Sequence, residues 1–596
     1  MKNLKGVLPY IYKYRWRLFL GILFTALSNL FAVFTPAVVR HATDTALGNT
    51  TSTTGEKLFS VFGTTIFSFA ILILTFSLLR GLFLFFMRQT IIVMSRKIEY
   101  DQKNDLFRHY EKLPMSFYKK NNTGDLMNRM TEDISRVRMF TGPTIMYAVN
   151  LISVFVLAII MMWKQSPTLT LFAVIPIPLM GILIFYMSAI IERKSEKIQE
   201  QLSNLTTFVQ ESFSGIRLLK SYVQEKQMSR FFGEEANQYK KKNLSLARAE
   251  AVYFPIVFLL VGLSNILTVY IGGRLVIATG PSHISPGNIP EFIMYINMLT
   301  MPMVTVGWTM ALAQRAGVSQ RRIDEFMKIK PEISSQENAL SEKIIGNVEF
   351  KNVSLVYENT GTVALKNISF KLKAGEKMAV IGRVGSGKTT LAQLLIRLYD
   401  VNEGEILVDE KNINDRSVLS LRKQIGFVSQ DVFLFSESVA DNISFGLEND
   451  FANELERRNK ITEVANSAAV YDEIISLPKK FETVVGERGV TLSGGQKQRI
   501  SIARALIKEP PILILDDCLS AVDAKTEKTI LTHLQTRMVN KTAIIITHRI
   551  FSLLKFDKII FLEDGKIIEE GIHDELIKQK GAYAELYQLQ MMEEVE

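Results

Sequence analysis

The chain carries a single cysteine, Cys518, in 596 residues. One thiol excludes an intrachain disulfide and any cysteine-based zinc cluster. Its plain reading, at the end of an apolar strand, is a small packing residue. Proline is missing and glycine rare from Val61 to Leu113, and apolar residues recur at helical spacing after Arg88, so the stretch reads as one long helix. The net charge of +10 comes without any basic stripe interleaved with aromatics. The basic residues cluster instead at the flanks of apolar runs, as Lys2, Lys5, Lys13, Arg15 and Arg17 do before the first. That placement matches the charge bias of a membrane's cytoplasmic side and speaks against nucleic acid as a partner.

What is present is segregated. Before about residue 327 the apolar residues come in runs long enough to cross a bilayer. After it they form strand-sized and helix-sized pieces, as in a soluble α/β protein. A chain of this length exceeds one hydrophobic core. The expected division is a transmembrane domain over 1–327, a polar linker over Lys328–Ile345 and a soluble domain over 346–596.

Six segments predict spans: Leu18–Val39, Val61–Leu82, Pro143–Trp163, Thr168–Ile191, Phe254–Ile277 and Phe292–Ala313. Each approaches the ~20 residues that a ~30 Å hydrocarbon layer requires. The first is too long for a cleaved leader and reads as an uncleaved span. Lys and Arg crowd the segments after spans two and four, whereas Lys164–Pro167 is short and Ala278–Pro290 nearly uncharged. The N-terminus, both long connections and the soluble domain are therefore expected on the cytoplasmic side.

Those connections do not read as loops. A helix from Val61 to Leu113 would run about 75 Å, with roughly 45 Å of it outside the membrane. Pro114 should end it, Ser116–Asn122 should turn, and Gly124–Arg138 should return as helix; Glu211–Val223 repeats the plan. Arg80 is the charge nearest a span interior, placed where its side chain reaches headgroups. Span six holds Met294, Met298, Met301, Met303, Trp308 and Met310, an adaptable apolar surface that suits greasy cargo and helix packing equally. Pro176, Pro178 and Pro302 predict kinks.

In the soluble half an apolar strand, Lys377–Ile381, leads into Gly382, Arg383, Val384, Gly385, Ser386, Gly387, Lys388, Thr389 and Thr390, and then a helix over Leu391–Leu398. This is the phosphate-binding loop in its strand–loop–helix setting. Its glycines let backbone N–H groups curl around phosphates at a helix N-terminus. Lys388 is placed to reach the terminal phosphates of ATP, and the Thr389 hydroxyl to ligate Mg²⁺. A second strand, Ile512–Leu515, ends at Asp516, suited to the Mg²⁺ shell, and a third, Thr542–Thr547, ends at His548. The site is expected above the strand ends of an α/β core.

One more motif, Leu492, Ser493, Gly494, Gly495 and Gln496, opens a helix over Lys497–Leu506 and makes a second anion site with no second phosphate loop to serve. It resembles the signature sequence of the ATP-binding cassette (ABC) transporters. The likeness extends to Tyr357, Gln430, the segment from Ser520 to Asp523, and His548, and six spans followed by one cassette is the half-transporter plan of ABC exporters. The resemblance implies an all-α six-helix transmembrane domain of the exporter type followed by an α/β nucleotide-binding domain. It implies that Tyr357 stacks on adenine, that Gln430 touches Mg²⁺ or the attacking water, and that His548 contacts the γ-phosphate. Two cassettes would meet head to tail, so that Ser493–Gln496 of one covers ATP on the other's loop, with Ser520 and Asp523 in the dimer loop. Ser116–Asn122 and Ser214–Lys220 resemble the segments that dock on the cassettes.

The family's pattern places Glu after Asp516, and this sequence has Asp517. The carboxylate retreats by about 1.5 Å, and misplacement on the ~1 Å scale can cost on the order of 10²-fold in rate. Asp517 thus stands as a weakened catalytic base. One altered residue beside an otherwise complete motif set favours pairing with a different half-transporter whose site does the chemistry; a slow homodimer is the alternative. The expected function is ATP-driven export of drugs, lipids or hydrophobic peptides by alternating access, from a bacterial inner membrane, with membrane lipids around the spans. The rival is an ATP-responsive regulator or gated channel on the same scaffold.

Overall fold

The computed structural model describes residues 2–47, 66–278, 283–336, 339–447, 453–486, 489, 491–519, 524–550 and 555–593. Its contacts divide the chain into two units: Met1–His109 with Gly124–Ile329, and Tyr110–Thr123 with Lys330–Glu596.

In the first unit six helical spans are long and apolar enough to cross a membrane. They are α1 (Arg15–Ala46), α2 (Ile66–Lys112), then, after the short α3 (Met115–Lys120), α4 (Thr123–Gln165). The next span is α5 (Pro167–Val174) with α6 (Pro176–Ser214). After the short α7 (Ile216–Ser221) come α8 (Glu225–Ile277) and α9 (Asn288–Met327). Residues 61–65 of the expected second span lie outside the described residues. Only 11–39% of each span's most apolar window is buried within the chain, which leaves most of that surface for lipid, another subunit or a transport cavity.

The helices run well past their apolar cores, and polar pairs hold the extensions. Ser319 on α9 donates to Asp133 on α4 at 2.7 Å, and Arg322 donates to Asp125 at 2.8 Å. Between α6 and α8, Gln201 donates to Glu235 at 2.5 Å and accepts from Lys242 at 2.8 Å. Two local expectations change, at Ser116–Asn122 and at Pro178, while the break expected at Pro176 is present. The segment after Pro114 is the helix α3, not a turn, because Pro114 sits at its N-cap in extended geometry and Asn121 closes it. Pro176 interrupts the helix at Ile175, where its missing N–H breaks the ladder. Pro178 falls in the first turn of α6, where a missing donor breaks nothing, so it imposes no kink. Arg80 is exposed on α2.

The second unit holds two sheets. One is antiparallel, ordered β2-β1-β4-β5, with β1 (Val348–Tyr357), β2 (Thr362–Leu372), β4 (Glu403–Val408) and β5 (Lys411–Asn412). The other is ordered β10-β9-β3-β8-β7-β6, with β3 (Lys377–Gly382), β6 (Ile425–Val428), β7 (Ile512–Asp516), β8 (Thr542–Ile546), β9 (Lys558–Glu563) and β10 (Lys566–Gly571). Every pair from β9 to β6 is parallel. The near-continuous apolar runs of β3, β7 and β8 are buried, as strands covered on both faces must be.

Helix α10 (Lys388–Leu395) starts and stops three residues earlier than expected. It begins as soon as the loop's last glycine permits, and Arg397, at φ +53°, ends it in a left-handed turn. Helix α11 (Gly494–Leu506) starts three residues early because Ser493 caps it. The Lys328–Ile345 stretch is pinned rather than loose. Leu340 exchanges backbone hydrogen bonds with Asp415 and Ser417, and Ile344 is buried with its N–H on Gln424.

Candidate functional site

The parallel strands aim their carboxyl ends at one place. The phosphate-loop residues follow β3, Gln430 lies two residues beyond β6, Asp516 closes β7 and His548 follows β8. Gly385 and Gly387 take φ of +85° and +99°, which side-chain-bearing residues rarely adopt. A Cβ on Gly382 would strike the Leu562 carbonyl, and one on Gly387 the Ala364 carbonyl, so both approaches need glycine. Val384 is 99% exposed at the loop's crest, and Arg383 reaches Glu563 at 3.9 Å. Ser386 is buried, with its hydroxyl unpartnered among the described residues.

Lys388 donates to the carbonyls of Gly382 (2.8 Å) and Arg383 (2.7 Å), which holds its ammonium across the loop. Burial pushes its pKa down, against the pull of Asp517 and Asp516. Thr389 donates to Asp516 Oδ1 at 3.2 Å, while Asp516 Oδ2 is buried without a partner among the described residues. Burial, chiefly, pushes the Asp516 carboxyl up to about 6; the Thr389 hydrogen bond opposes that and the Asp517 charge adds to it. A hydroxyl beside a carboxylate with a spare oxygen fits a hard divalent cation. Among the described residues no group of three His, Cys, Asp or Glu gathers to hold a metal alone, so such an ion would need phosphate oxygens as well.

Asp517 sits in a left-handed conformation (φ +46°), its N–H on the Ile546 carbonyl at 2.8 Å. That bend brings its Oδ1 to 3.0 Å from Nδ1 of His548. Gln590, which sequence reasoning missed, donates to the His548 carbonyl at 2.8 Å and accepts from the Ile550 N–H at 2.9 Å. Gln590 lies in the C-terminal helix Ala582–Glu593, and nothing local marks a Gln there for this task. Tyr357 ends β1, and its hydroxyl lies 3.0 Å from that of Thr390. That contact ties Tyr357 to the last residue of the phosphate loop.

Ser493 and Gln496 form a reciprocal capping box: Gln496 N–H donates to Ser493 Oγ at 3.3 Å, and Ser493 N–H to Gln496 Oε1 at 2.9 Å. Gly494 and Gly495 fill the first turn of α11. Leu492 is buried in a core that includes Val439, Ile500 and Leu515, separate from the core holding Leu391 and Leu394 behind the phosphate loop. Ser520 and Asp523 lie outside the described residues.

The membrane unit holds a buried charge pair that sequence reasoning also missed. Glu291 is fully buried, 3.7 Å from the Arg40 guanidinium, and accepts from Asn288 at 3.2 Å and Tyr295 at 3.3 Å. Arg40 also donates to Gln165. The only sequence signal was one charge at the edge of each of two apolar runs.

Comparisons with known proteins agree with this architecture. A model of the ABC transporter transmembrane region matches residues 18–303, and one described as ABC transporter matches 365–520. The multidrug resistance-like ATP-binding protein MdlA of Escherichia coli (strain K12) is 35% identical over 500 residues, spanning 84% of this chain and 83% of that protein. The uncharacterized ABC transporter ATP-binding protein YfiC of Bacillus subtilis (strain 168) is 33% identical over 99% of this chain and 95% of its own. An ATP-dependent lipid A-core flippase of Haemophilus influenzae (strain 86-028NP) is 31% identical over 86% of each chain. In fold, a bacterial Atm1-family ABC exporter solved with ATP bound superposes with a TM-score of 0.76 at 23% identity, over 97% of this chain and 98% of that one. The chain belongs to the ABC transporter family. It is a multi-pass membrane protein whose transmembrane domain is fused to its ATPase domain, and it couples ATP hydrolysis to export.

Proposed function

We propose that this chain is one subunit of a heterodimeric exporter of amphipathic or hydrophobic compounds, drugs, lipids or peptides, in a bacterial inner membrane, with its cassette and N-terminus cytoplasmic. Relatives named for multidrug resistance and for lipid A-core flipping support the cargo class. Beyond the Arg40–Glu291 pair, buried charge in the spans is scarce among the described residues, which argues against small ions. Pairing with a second half-transporter is supported by the apolar tip of the second hairpin, where Phe213, Leu218, Tyr222 and Val223 are exposed. The same plan makes sense of the capped glycine pair at Gly494 and Gly495, which would offer N–H groups to ATP held on the partner's loop.

In this reading the loop from Gly382 to Thr390 wraps the phosphates. Lys388 gives up its carbonyl partners for phosphate oxygens, Tyr357 stacks on the base, and Ser493–Gln496 closes the partner's site. Magnesium would be held by Thr389 and Asp516, with Gln430 at its edge, and would neutralise charge on the transferred phosphoryl group. His548 keeps its Nδ1 toward Asp517, which leaves Nε2 to face the γ-phosphate. Nucleotide binding closes the cassettes and shifts the transmembrane domain from inward-facing to outward-facing; hydrolysis resets it.

The observation that carries the heterodimer is Asp517. Its carboxylate is one methylene short of the glutamate usual in the family, and one of its oxygens is committed to His548. The slow homodimer draws on the same contact, since His548 holds Asp517 at the site. ATPase activity of the chain alone in lipid, against Lys388→Ala, separates them. A nearly silent chain, restored by a partner half-transporter in a way that survives Asp517→Ala, supports the heterodimer. Brisk turnover of the chain alone that Asp517→Ala abolishes overturns it.

A further inference from the structure

Helix α3 follows Pro114 at the tip between α2 and α4, and its residues group with the cassette. It ends in Lys119 and Lys120, with no acidic residue in its first turn. The Lys119 ammonium lies 4.9 Å from the centroid of the Tyr357 ring and 5.3 Å from that of Tyr399. The two rings meet edge to face, 5.3 Å apart at 81°. Tyr357 is fixed at its tip by Thr390 of α10 and, at 3.4 Å, by Gln393. Tyr399 is buried, and its hydroxyl has no hydrogen-bond partner among the described residues, so packing and the cation hold that ring. Ser116, one turn earlier on α3, donates to Glu332 at 3.0 Å. Lys119, the two tyrosines, Ser116 and Glu332 border a cavity of about 290 Å³ that Leu355, Leu398 and Val401 also line.

We propose that Lys119 is a positioning residue for the nucleotide base, acting through the Tyr357 ring. The inference rests on the reading of Tyr357 as the residue that stacks on adenine. A cation over an aromatic face is held by the ring's quadrupole, and the attraction strengthens as cation and ring lose water. A base laid on Tyr357 strips water from the ring and tightens its hold on Lys119. By reciprocity Lys119 tightens the hold on the base by the same factor. Since α3 joins α2 through only Leu113 and Pro114, the side chain that senses the base is a few residues along the chain from the far end of the helix that carries span two. Tyr357 also touches the phosphate loop through Thr390, so the coupling is read in the ratio of base-bearing to baseless affinity, which a general effect on folding leaves unchanged.

The test uses the full chain in lipid nanodiscs and compares dissociation constants for magnesium ATP and magnesium tripolyphosphate, which has no base. Lys119→Met is expected to weaken ATP about fivefold (roughly 1 kcal/mol) and to leave tripolyphosphate unchanged. Lys119→Arg, which keeps the cation, should restore ATP affinity. In a Tyr357→Leu background the Lys119 substitution should have no further effect. Equal losses for both ligands, no loss for either, or an undiminished Lys119 effect without the Tyr357 ring each overturn the proposal. If Tyr357→Leu weakens ATP selectively while Lys119→Met is silent, the stacking reading stands and the coupling alone fails. If Tyr357→Leu leaves the ratio of the two affinities unchanged, the stacking reading falls and takes the coupling with it.

Discussion

Truncating Glu291 to alanine while leaving Arg40 in place would strand a guanidinium in a site built for a pair. Glu291 is fully buried and the Arg40 side chain is 11% exposed, so bulk water cannot take over the lost contact. Breaking one side of a buried ion pair costs about 3–5 kcal/mol. Arg40 keeps Gln165 and His41 as partners, which places the cost toward the lower figure. Tyr295 loses one acceptor but keeps the Val33 carbonyl at 3.0 Å. At about 1.5 °C per kcal/mol for a unit of this size, the midpoint of thermal unfolding should fall by about 4–5 °C. Unfolding followed by intrinsic fluorescence in nanodiscs would measure it, alongside the double variant Arg40→Met/Glu291→Leu. The double variant should recover most of the loss, because it removes both charges and their desolvation cost together. A midpoint for Glu291→Ala within about 1 °C of the parent would refute the argument, since about 3 kcal/mol cannot hide in so small a shift. A double variant no better than the single one would show that packing, not charge, sets the cost.

Three further outcomes follow from the cassette. The Asp516 carboxyl titrates near 6 in the folded chain against about 3.9 unfolded, so the folded state binds its proton more tightly. Its contribution to stability is complete below pH ~4 and is lost as the pH rises through about 6. Asp516→Asn should therefore stabilise the chelator-treated protein by about 1–3 kcal/mol at pH 7.5 and hardly at all at pH 4, while abolishing ATPase activity; a larger gain at the acid end would contradict this. Burial pushes the Cys518 thiol up to about 12, so native protein at pH 8 should resist maleimide labelling over a time in which denatured protein is fully labelled. Asp517→Glu restores the missing methylene and should raise single-chain turnover by on the order of 10- to 100-fold; no change, with or without His548→Ala beside it, would mean that carboxylate reach does not limit this site.

Where the chemistry lies in one contiguous piece, it was readable from the residues. The phosphate loop, the capped glycine pair and the six apolar runs each carry their own explanation, because backbone geometry, capping and bilayer thickness act locally. Where two distant pieces meet, nothing local marked the meeting. Arg40 and Glu291 come from the first and last spans, and each alone reads as an end-of-span charge free to reach water. Lys119 alone reads as an exposed helix-end lysine, and Gln590 as a surface residue of the last helix. The Lys328–Ile345 stretch is polar in composition, yet Leu340 and Ile344 pin it to the cassette, because two apolar residues suffice when their backbone groups also find partners.

Asp517 shows the same boundary within a single residue. Its identity was visible, and the missing methylene could be argued from it alone. Its left-handed φ of +46° could not, because Asp is uncommon there without a local hydrogen bond or outside constraint to hold it. The constraint is tertiary: the Ile546 carbonyl fixes the Asp517 N–H, and His548, itself steadied by Gln590, receives the carboxylate. The short side chain is thus aimed as well as shortened. Lengthening it alone will restore full reach only if His548 yields the contact, so Asp517→Glu probes the histidine as much as the carboxylate.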